Sequence, residues 1–195
     1  MAPEIDPNYY APYANVCDKR TLLIEGRNGH RNIEVGVKID IFPIDSTPQG
    51  EDNYVKLKSE IIRINNILWT KRVEVPPVKF LSDLKIVVKK ILFSKDSYAN
   101  LQKEIMRKVK CNSYMDSELV DCIVYQQSDV RMKRSDYEEY VDVSFENLKL
   151  MSIQNYNEYL CKLYGDYMQF PPESERIPHH GFTAYWKDGY ELDKE

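Results

Sequence analysis

The segment that most constrains the fold of this chain is residues 37–42, in which aliphatic residues alternate with others. Successive residues of a β-strand point to opposite faces of a sheet. One face therefore takes Val37, Ile39 and Ile41, and the other takes Lys38, Asp40 and Phe42. Pro43 has no amide hydrogen to donate, so strand pairing weakens there. The pattern predicts a β-strand that carries a carboxylate at its centre.

The carboxylate of Asp40 has two interpretations that the pattern leaves open. A buried carboxylate without a partner costs several kcal/mol, so such a group usually holds a cation, accepts strong hydrogen bonds or lies over a cleft. Alternatively, its face of the strand is wet and Asp40 pairs with a nearby lysine. One carboxylate is too few for a divalent cation, and Asp45 lies five positions further on, beyond Pro43.

Helices are predicted over residues 51–110. The first contains a stripe of apolar residues at intervals of three and four, namely Tyr54, Leu57, Ile61, Ile64 and Leu68. A second helix is predicted over 81–93 and a third over 97–110. In the second helix, the residues expected to face inward are Leu84, Val87, Val88 and Ile91.

Short strands are predicted on both sides of the helical part. The candidates are residues 21–24, 122–125, 141–145 and 148–151. A further helix over 153–163 is followed by Gly165, which suits a C-terminal cap. With 195 residues, the chain is expected to form a single domain over 1–195 of the α/β (α+β) class.

Composition excludes several classes of protein. A net charge of −4 excludes a globally basic nucleic-acid binder. The sequence contains no apolar run of the roughly 18–20 residues that a membrane span needs. Its 4 cysteines form no Cys-x-x-Cys pair, so they are expected to be reduced, buried thiols. These features predict a cytoplasmic protein.

The stretch between Lys79 and Lys110 is basic, with nine Lys or Arg residues and three acids. The simpler interpretation is the solvated face of two amphipathic helices. The other is a surface that meets anionic lipid or a phosphate-bearing polymer, which would place the protein peripherally at the inner membrane face.

Two adjacent histidines, His179 and His180, follow Arg176 in a loop bounded by prolines. Histidine suits phosphate contact or proton transfer near neutral pH. Since adjacent residues of an extended segment diverge, one of them is expected to face a site while the other packs.

Several segments together resemble the LicD family. They are residues 6–9, 21–25, 37–45 and 163–168, followed by Pro171, Pro172, Arg176, His179, His180 and residues 185–187. Their order and spacing match from near the N-terminus to about Lys187. The C-terminal block is specific to the family, whereas the central helices are generic.

The resemblance implies a partial nucleotidyltransferase-like sheet with a helical insertion and a C-terminal helix-loop segment. It also implies transfer of a phospho-substituent, of the phosphocholine type, from a CDP-linked donor to a sugar of a cell-surface glycan such as lipopolysaccharide or teichoic acid. Mg²⁺ or another divalent metal assists this chemistry. By resemblance, Asp40 is the catalytic and metal-binding acid. The residues implied to bind substrate are Asp45, Tyr164, Arg176, His179 and His180.

The family's acidic pair lies upstream of the region that matches here, so Asp40 is expected to be one acid of three. On this expectation the chain is N-terminally truncated and has little or no transferase activity alone. Either a complementing chain carries the missing strands, or the protein is a non-catalytic relative that acts as a binding or regulatory module.

Overall fold

The computed structural model describes residues 9–25, 33–72, 81–110, 112–124, 129–176 and 182–187. The strands are β1 Ala14–Cys17, β2 Thr21–Glu25, β3 Ile33–Val35, β4 Lys38–Ile41, β5 Asp45–Ser46, β6 Leu119–Asp121, β7 Met132–Lys133, β8 Tyr140–Phe145, β9 Leu148–Ile153 and β10 Phe182–Trp186. The helices are α1 Glu51–Arg72, α2 Leu81–Leu92, α3 Tyr98–Val109, α4 Arg134–Glu138, α5 Tyr156–Tyr164 and a 3₁₀ turn at Glu173–Glu175.

The strands form small antiparallel sheets. β1 pairs with β4, β2 lies between β10 and β3, β6 lies between β5 and β7, and β8 pairs with β9. Helices and antiparallel sheets in one chain are consistent with the α+β prediction. The nucleotidyltransferase-like sheet stays a prediction.

The chain forms two compact units. The first comprises Met1–Ile41, Arg63–Lys103 and Arg176–Glu195, and the second comprises Phe42–Ile62 and Glu104–Glu175.

In the first unit, β1 and β4 place Asn15 opposite Asp40 and Val16 opposite Ile39. Ile39 and Ile41 share a face, as the alternation predicts, but that face is exposed. The polar face is the more closely packed one, because Asn15 is buried there. A carboxylate of β4 therefore lies beside a buried amide.

Gly36 fixes the entry into β4. A Cβ atom at this position would overlap the backbone carbonyl oxygen of Asp18. The close approach brings the Asp18 amide to the Val37 carbonyl oxygen, to which it donates at 2.8 Å. The turn after β1 is therefore joined to the residue that precedes β4, and only glycine fits between them.

The apolar stripe predicted for α1 is confirmed. Tyr54, Ile61, Ile64 and Leu68 are fully or almost fully buried. The helix begins with two acids, Glu51 and Asp52, and ends with two bases, Lys71 and Arg72, the charge order that the helix dipole favours.

The inward face predicted for α2 is wrong for three of its four residues. Leu84, Val88 and Ile91 are exposed, whereas Val87 is partly buried as predicted, together with Ile86. Periodicity identifies which residues share a helix face, but it does not identify the face that finds a partner.

Most of the predicted strands are found, and one is displaced. β2, β8 and β9 contain the predicted residues, and Gly165 caps α5 by donating its amide to the Cys161 carbonyl oxygen at 2.8 Å. In place of the strand predicted at 122–125, the structure has β6, which ends at Asp121. Residues 122–124 are buried in the turn that follows β6. An apolar run predicts burial more firmly than it predicts extended structure.

A buried polar network lies in the second unit around Asp121, whose side chain is 0% exposed. Its carboxylate accepts hydrogen bonds from the Tyr54 hydroxyl at 2.6 Å, from the Lys58 ammonium at 3.0 Å and from the Val130 amide at 3.3 Å. The Tyr54 hydroxyl also lies 3.0 Å from Asp129. These contacts join α1 to β6 with the carboxylate charge balanced.

Replacing this carboxylate is expected to destabilise the protein. Asp121→Asn removes the carboxylate charge from the buried ion pair with the Lys58 ammonium, and breaking a buried ion pair from one side costs about 3 kcal/mol or more. Urea unfolding at neutral pH measures the difference. Asp142→Asn is the matched control, because Asp142 is exposed on β8 and its change should cost less than about 0.5 kcal/mol. Equal stabilities of the two variants would contradict the importance of the network.

Candidate functional site

Asp40 is held in one orientation by its neighbour on β1. The side-chain amide of Asn15 donates to Asp40 Oδ1, and the Tyr9 hydroxyl donates to Asn15 Oδ1. Asn15 has one donor group and one acceptor group on its amide, and both are used along this path. The three side chains form a chain of hydrogen bonds that ends at the carboxylate.

The other end of this series of hydrogen bonds, at Tyr9, is fixed by α3. Gln102 is buried, and its amide nitrogen donates to the backbone carbonyl oxygens of Tyr9 at 3.2 Å and Ala11 at 2.9 Å. The segment that carries Tyr9 is thereby held against the helix. The position of Asp40 consequently depends on packing that involves a residue 62 positions further along the chain.

The phenol groups near Asp40 stay protonated. Burial, and to a smaller extent the proximity of Tyr10 and Asp40, raises the pKa of Tyr9 above its ordinary value of 10.0. The same causes raise the pKa of Tyr13. Both groups are therefore hydrogen-bond donors at neutral pH, and neither is a candidate base.

A cation also lies near the carboxylate. The Lys38 ammonium is 4.0 Å from Asp40 Oδ1, and the Asp40 side chain remains 33% exposed. Asp40 is thus oriented by a neutral donor, loosely paired with a cation and still reachable from solvent. Such a pair of opposite charges suits a ligand that presents both a hydroxyl group and a phosphate oxygen.

Asp45, the next predicted residue, lies in the second unit. It belongs to β5, and its Oδ2 is buried with no hydrogen-bond partner among the residues that the structure describes. Burial raises the pKa of this carboxyl group, and the charge of Lys110 acts in the opposite direction. A buried carboxyl group whose pKa is raised differs from the oriented and partly exposed carboxylate of Asp40.

The remaining predicted site residues are spread over the chain. Tyr164 is the last residue of α5 and is exposed in the second unit, whereas Arg176 is exposed in the first. His179 and His180 lie outside the described residues. The substrate-binding roles of all four stay predictions.

A divalent metal does not fit the described residues by themselves. The described part of the chain contains no group of three or more His, Cys, Asp or Glu side chains that could hold a metal ion. At Asp40 the nearby Lys38 ammonium opposes a second cation. Mg²⁺ prefers six oxygen ligands, so Asp40 would supply one of several.

The supporting residues of Asp40 were not predicted from the sequence. Asn15 and Gln102 are 25 and 62 positions from Asp40, and neither belongs to a motif. Pairing of β1 with β4 brings Asn15 opposite Asp40, and β1 itself was not predicted. A polar residue between Ala14 and Val16 was the one hint that the sequence offered.

Comparison with known proteins gives one distant relative. Over 187 residues the chain is 27% identical to the lipopolysaccharide cholinephosphotransferase LicD of Haemophilus influenzae, and the aligned stretch covers 94% of this chain and 68% of that protein. No family model matches the chain, and no solved structure matches it. The relative supports the LicD-like assignment made from the residues.

The buried carboxyl group of Asp45 predicts a pH-dependent stability. Because its pKa is raised above the ordinary 3.8, the folded state holds the proton more tightly than the unfolded state. Stability is therefore lost as the pH rises from 3.8 through the raised pKa. Asp45→Asn removes this loss, so the variant is expected to be more stable than the original chain at neutral pH.

Urea unfolding over a pH series measures this effect. The advantage of Asp45→Asn should shrink as the pH falls and vanish below 3.8, where the original carboxyl group is protonated in both states. Asp142→Asn serves as the exposed control, and at neutral pH its change should cost less than about 0.5 kcal/mol. A variant less stable than the original chain at neutral pH would disprove this account of Asp45.

Proposed function

We propose that this protein transfers a phospho-substituent of the phosphocholine type from a CDP-linked donor to a sugar of a cell-surface glycan, with the carboxylate of Asp40 as its catalytic base. Two observations support the proposal. The similarity to a lipopolysaccharide cholinephosphotransferase extends over 94% of the chain. The observation that carries it is the geometry of Asp40, a carboxylate oriented by Asn15 and still 33% exposed.

The proposed reaction needs a base and a stabiliser of negative charge. The acceptor hydroxyl oxygen bonds to the phosphorus of the phosphocholine group, and the bond from that phosphorus to the oxygen of the departing CMP breaks. Asp40 accepts the hydroxyl proton, and the Lys38 ammonium neutralises a phosphate oxygen. The bond from Asn15 keeps the Asp40 carboxylate aimed in one direction, so little reorientation is needed during the reaction.

The proposal includes further groups. Asp45, Tyr164, Arg176, His179 and His180 are proposed to contact the substrates, on the strength of the family resemblance. A role for Mg²⁺ or another divalent metal stays a proposal that rests on the family resemblance alone, since the described residues offer no group that could hold the ion. The cytoplasmic location predicted from the sequence stays a proposal.

A second candidate function is that of a binding module, which binds the CDP-linked donor but does not catalyse transfer. The ion pair of Asp40 with Lys38 favours it, because the charge of the carboxylate is already partly balanced within the chain. Both candidates bind a CDP-linked donor, and they differ in whether CMP is released.

The test is release of CMP from CDP-choline by the purified full chain, with lipopolysaccharide as acceptor and Mg²⁺ present. Measurable release would overturn the expectation from the sequence that the chain has little or no transferase activity alone. Asp40→Asn keeps the shape of the side chain and removes the base, so the rate is expected to fall by roughly 10²–10⁴-fold. Asp18→Asn is the matched control. It changes an acid of the same unit whose carboxylate is paired with Arg20 in the turn after β1, and the rate should stay within about twofold.

Titration with CDP-choline separates the two candidates. Binding together with CMP release that depends on Asp40 supports the transferase. Binding without release supports the binding module. A rate of CMP release that is unchanged in Asp40→Asn would show that Asp40 takes no part in the reaction.

A further inference from the structure

We infer that α2 is a docking surface for an anionic lipid bilayer. The helix exposes an apolar stripe composed of Leu84, Val88, Ile91 and Leu92. Ile91 and Leu92 are the most exposed, at 68% and 69%. Aliphatic side chains left in water on a folded protein mark a surface that meets an apolar partner.

The stripe is flanked by cations. With 3.6 residues per turn, its four members lie on one side of the helix, and Lys85 and Lys89 lie along one edge of it, both exposed. Lys95 follows the helix and is also exposed. Residues 84–92 include three lysines and no acid.

The other side of α2 is attached to the protein. Ile86, Val87 and Phe93 are partly buried, and the Lys71 ammonium at the end of α1 donates to the Phe93 carbonyl oxygen at 3.0 Å. A cation at the C-terminal end of a helix satisfies carbonyl groups that lack helical partners. The attached side fixes the rotation of the helix, so the apolar stripe points to solvent.

Charge identifies the partner as anionic. Residues 81–103, which belong to the first unit, contain five lysines and two acids, in a chain whose net charge is −4. Lysines near an anionic membrane surface each strengthen attachment, and a helix with an apolar face sinks that face into the headgroup boundary. A soluble polyanion would satisfy the lysines but would leave the stripe in water.

The helix would lie on the bilayer and not cross it. Within the part of the chain that the structure describes, every helix is too short or too polar to span a membrane. α2 has 12 residues, which is about 18 Å of helix and well below a hydrocarbon core of about 30 Å. Its length suits attachment in the plane of the interface.

Another exposed apolar surface has a different charge pattern. The β8–β9 hairpin exposes Phe145, Leu148 and Met151, but Asp142 and Glu146 accompany Lys149 there. The acids outnumber the lysine there, so the hairpin lacks the net positive charge that would attract anionic lipid. α2 combines both requirements on one face.

Cosedimentation of the purified full chain with vesicles tests the inference. The vesicles contain phosphatidylglycerol and phosphatidylcholine in equal parts, and pure phosphatidylcholine vesicles are the comparison. Two double variants, Ile91→Ser with Leu92→Ser and Lys85→Glu with Lys89→Glu, are each expected to weaken binding to anionic vesicles by about tenfold or more. All changed residues are exposed, so thermal unfolding should stay close to that of the original chain.

A matched control replaces apolar side chains that are equally exposed elsewhere. Met168→Ser with Phe170→Ser removes comparable apolar surface from a segment that is not basic, and vesicle binding should not change. Salt near 1 M, where the Debye length is about 3 Å, should release the original chain.

Three results would overturn the inference. The first is no binding of the original chain to anionic vesicles, and the second is equal binding to neutral ones. The third is loss of binding in the lysine variant while the Ile91 and Leu92 variant binds normally, which would indicate simple attraction to a polyanion. The inference does not rest on the proposed transfer reaction, since vesicle binding and CMP release are measured separately.

Discussion

The candidate site depends on the hydrogen bonds that run from Gln102 through Tyr9 and Asn15 to Asp40. A buried amide or phenol without a partner would cost about 1–3 kcal/mol, so each group in this path needs the next. Asn15 is the central member, because its amide accepts from Tyr9 and donates to Asp40. The direction of the carboxylate is consequently coupled to the packing of α3 against the segment that carries Tyr9.

The second unit contains a buried carboxylate, and comparing it with Asp40 of the first unit indicates which acid is suited to chemistry. Asp121 is fully buried and accepts bonds from Tyr54, Lys58 and the Val130 amide, so it joins α1 to β6. Asp40 is oriented by one neutral donor and remains partly exposed. A carboxylate that is fixed and also accessible can contact a ligand, whereas a fully enclosed one serves stability.

Local patterns predicted local structure well, and they failed where a distant partner decides the outcome. The stripe on α1, the hairpin of β8 and β9 and the cap at Gly165 were predicted because each depends on residues a few positions apart. The network of Asp121 was missed, since its lysine is 63 positions away. The apolar stripe of α2 was assigned to the interior, because spacing does not reveal which side of a helix is covered.

The sequence left open whether Asp40 accepts strong hydrogen bonds or pairs with a lysine on a wet face, and the structure combines the two. Asn15 supplies a directional bond, and Lys38 supplies a cation at 4.0 Å, beyond hydrogen-bond distance. A partly exposed pair at that separation is weak, so in the proposed reaction a phosphate oxygen would compete with Asp40 for Lys38. The hydrogen bond from the Asn15 side-chain amide to Asp40 would persist through such an exchange. The carboxylate would then keep its orientation while its charge becomes available to the incoming ligand.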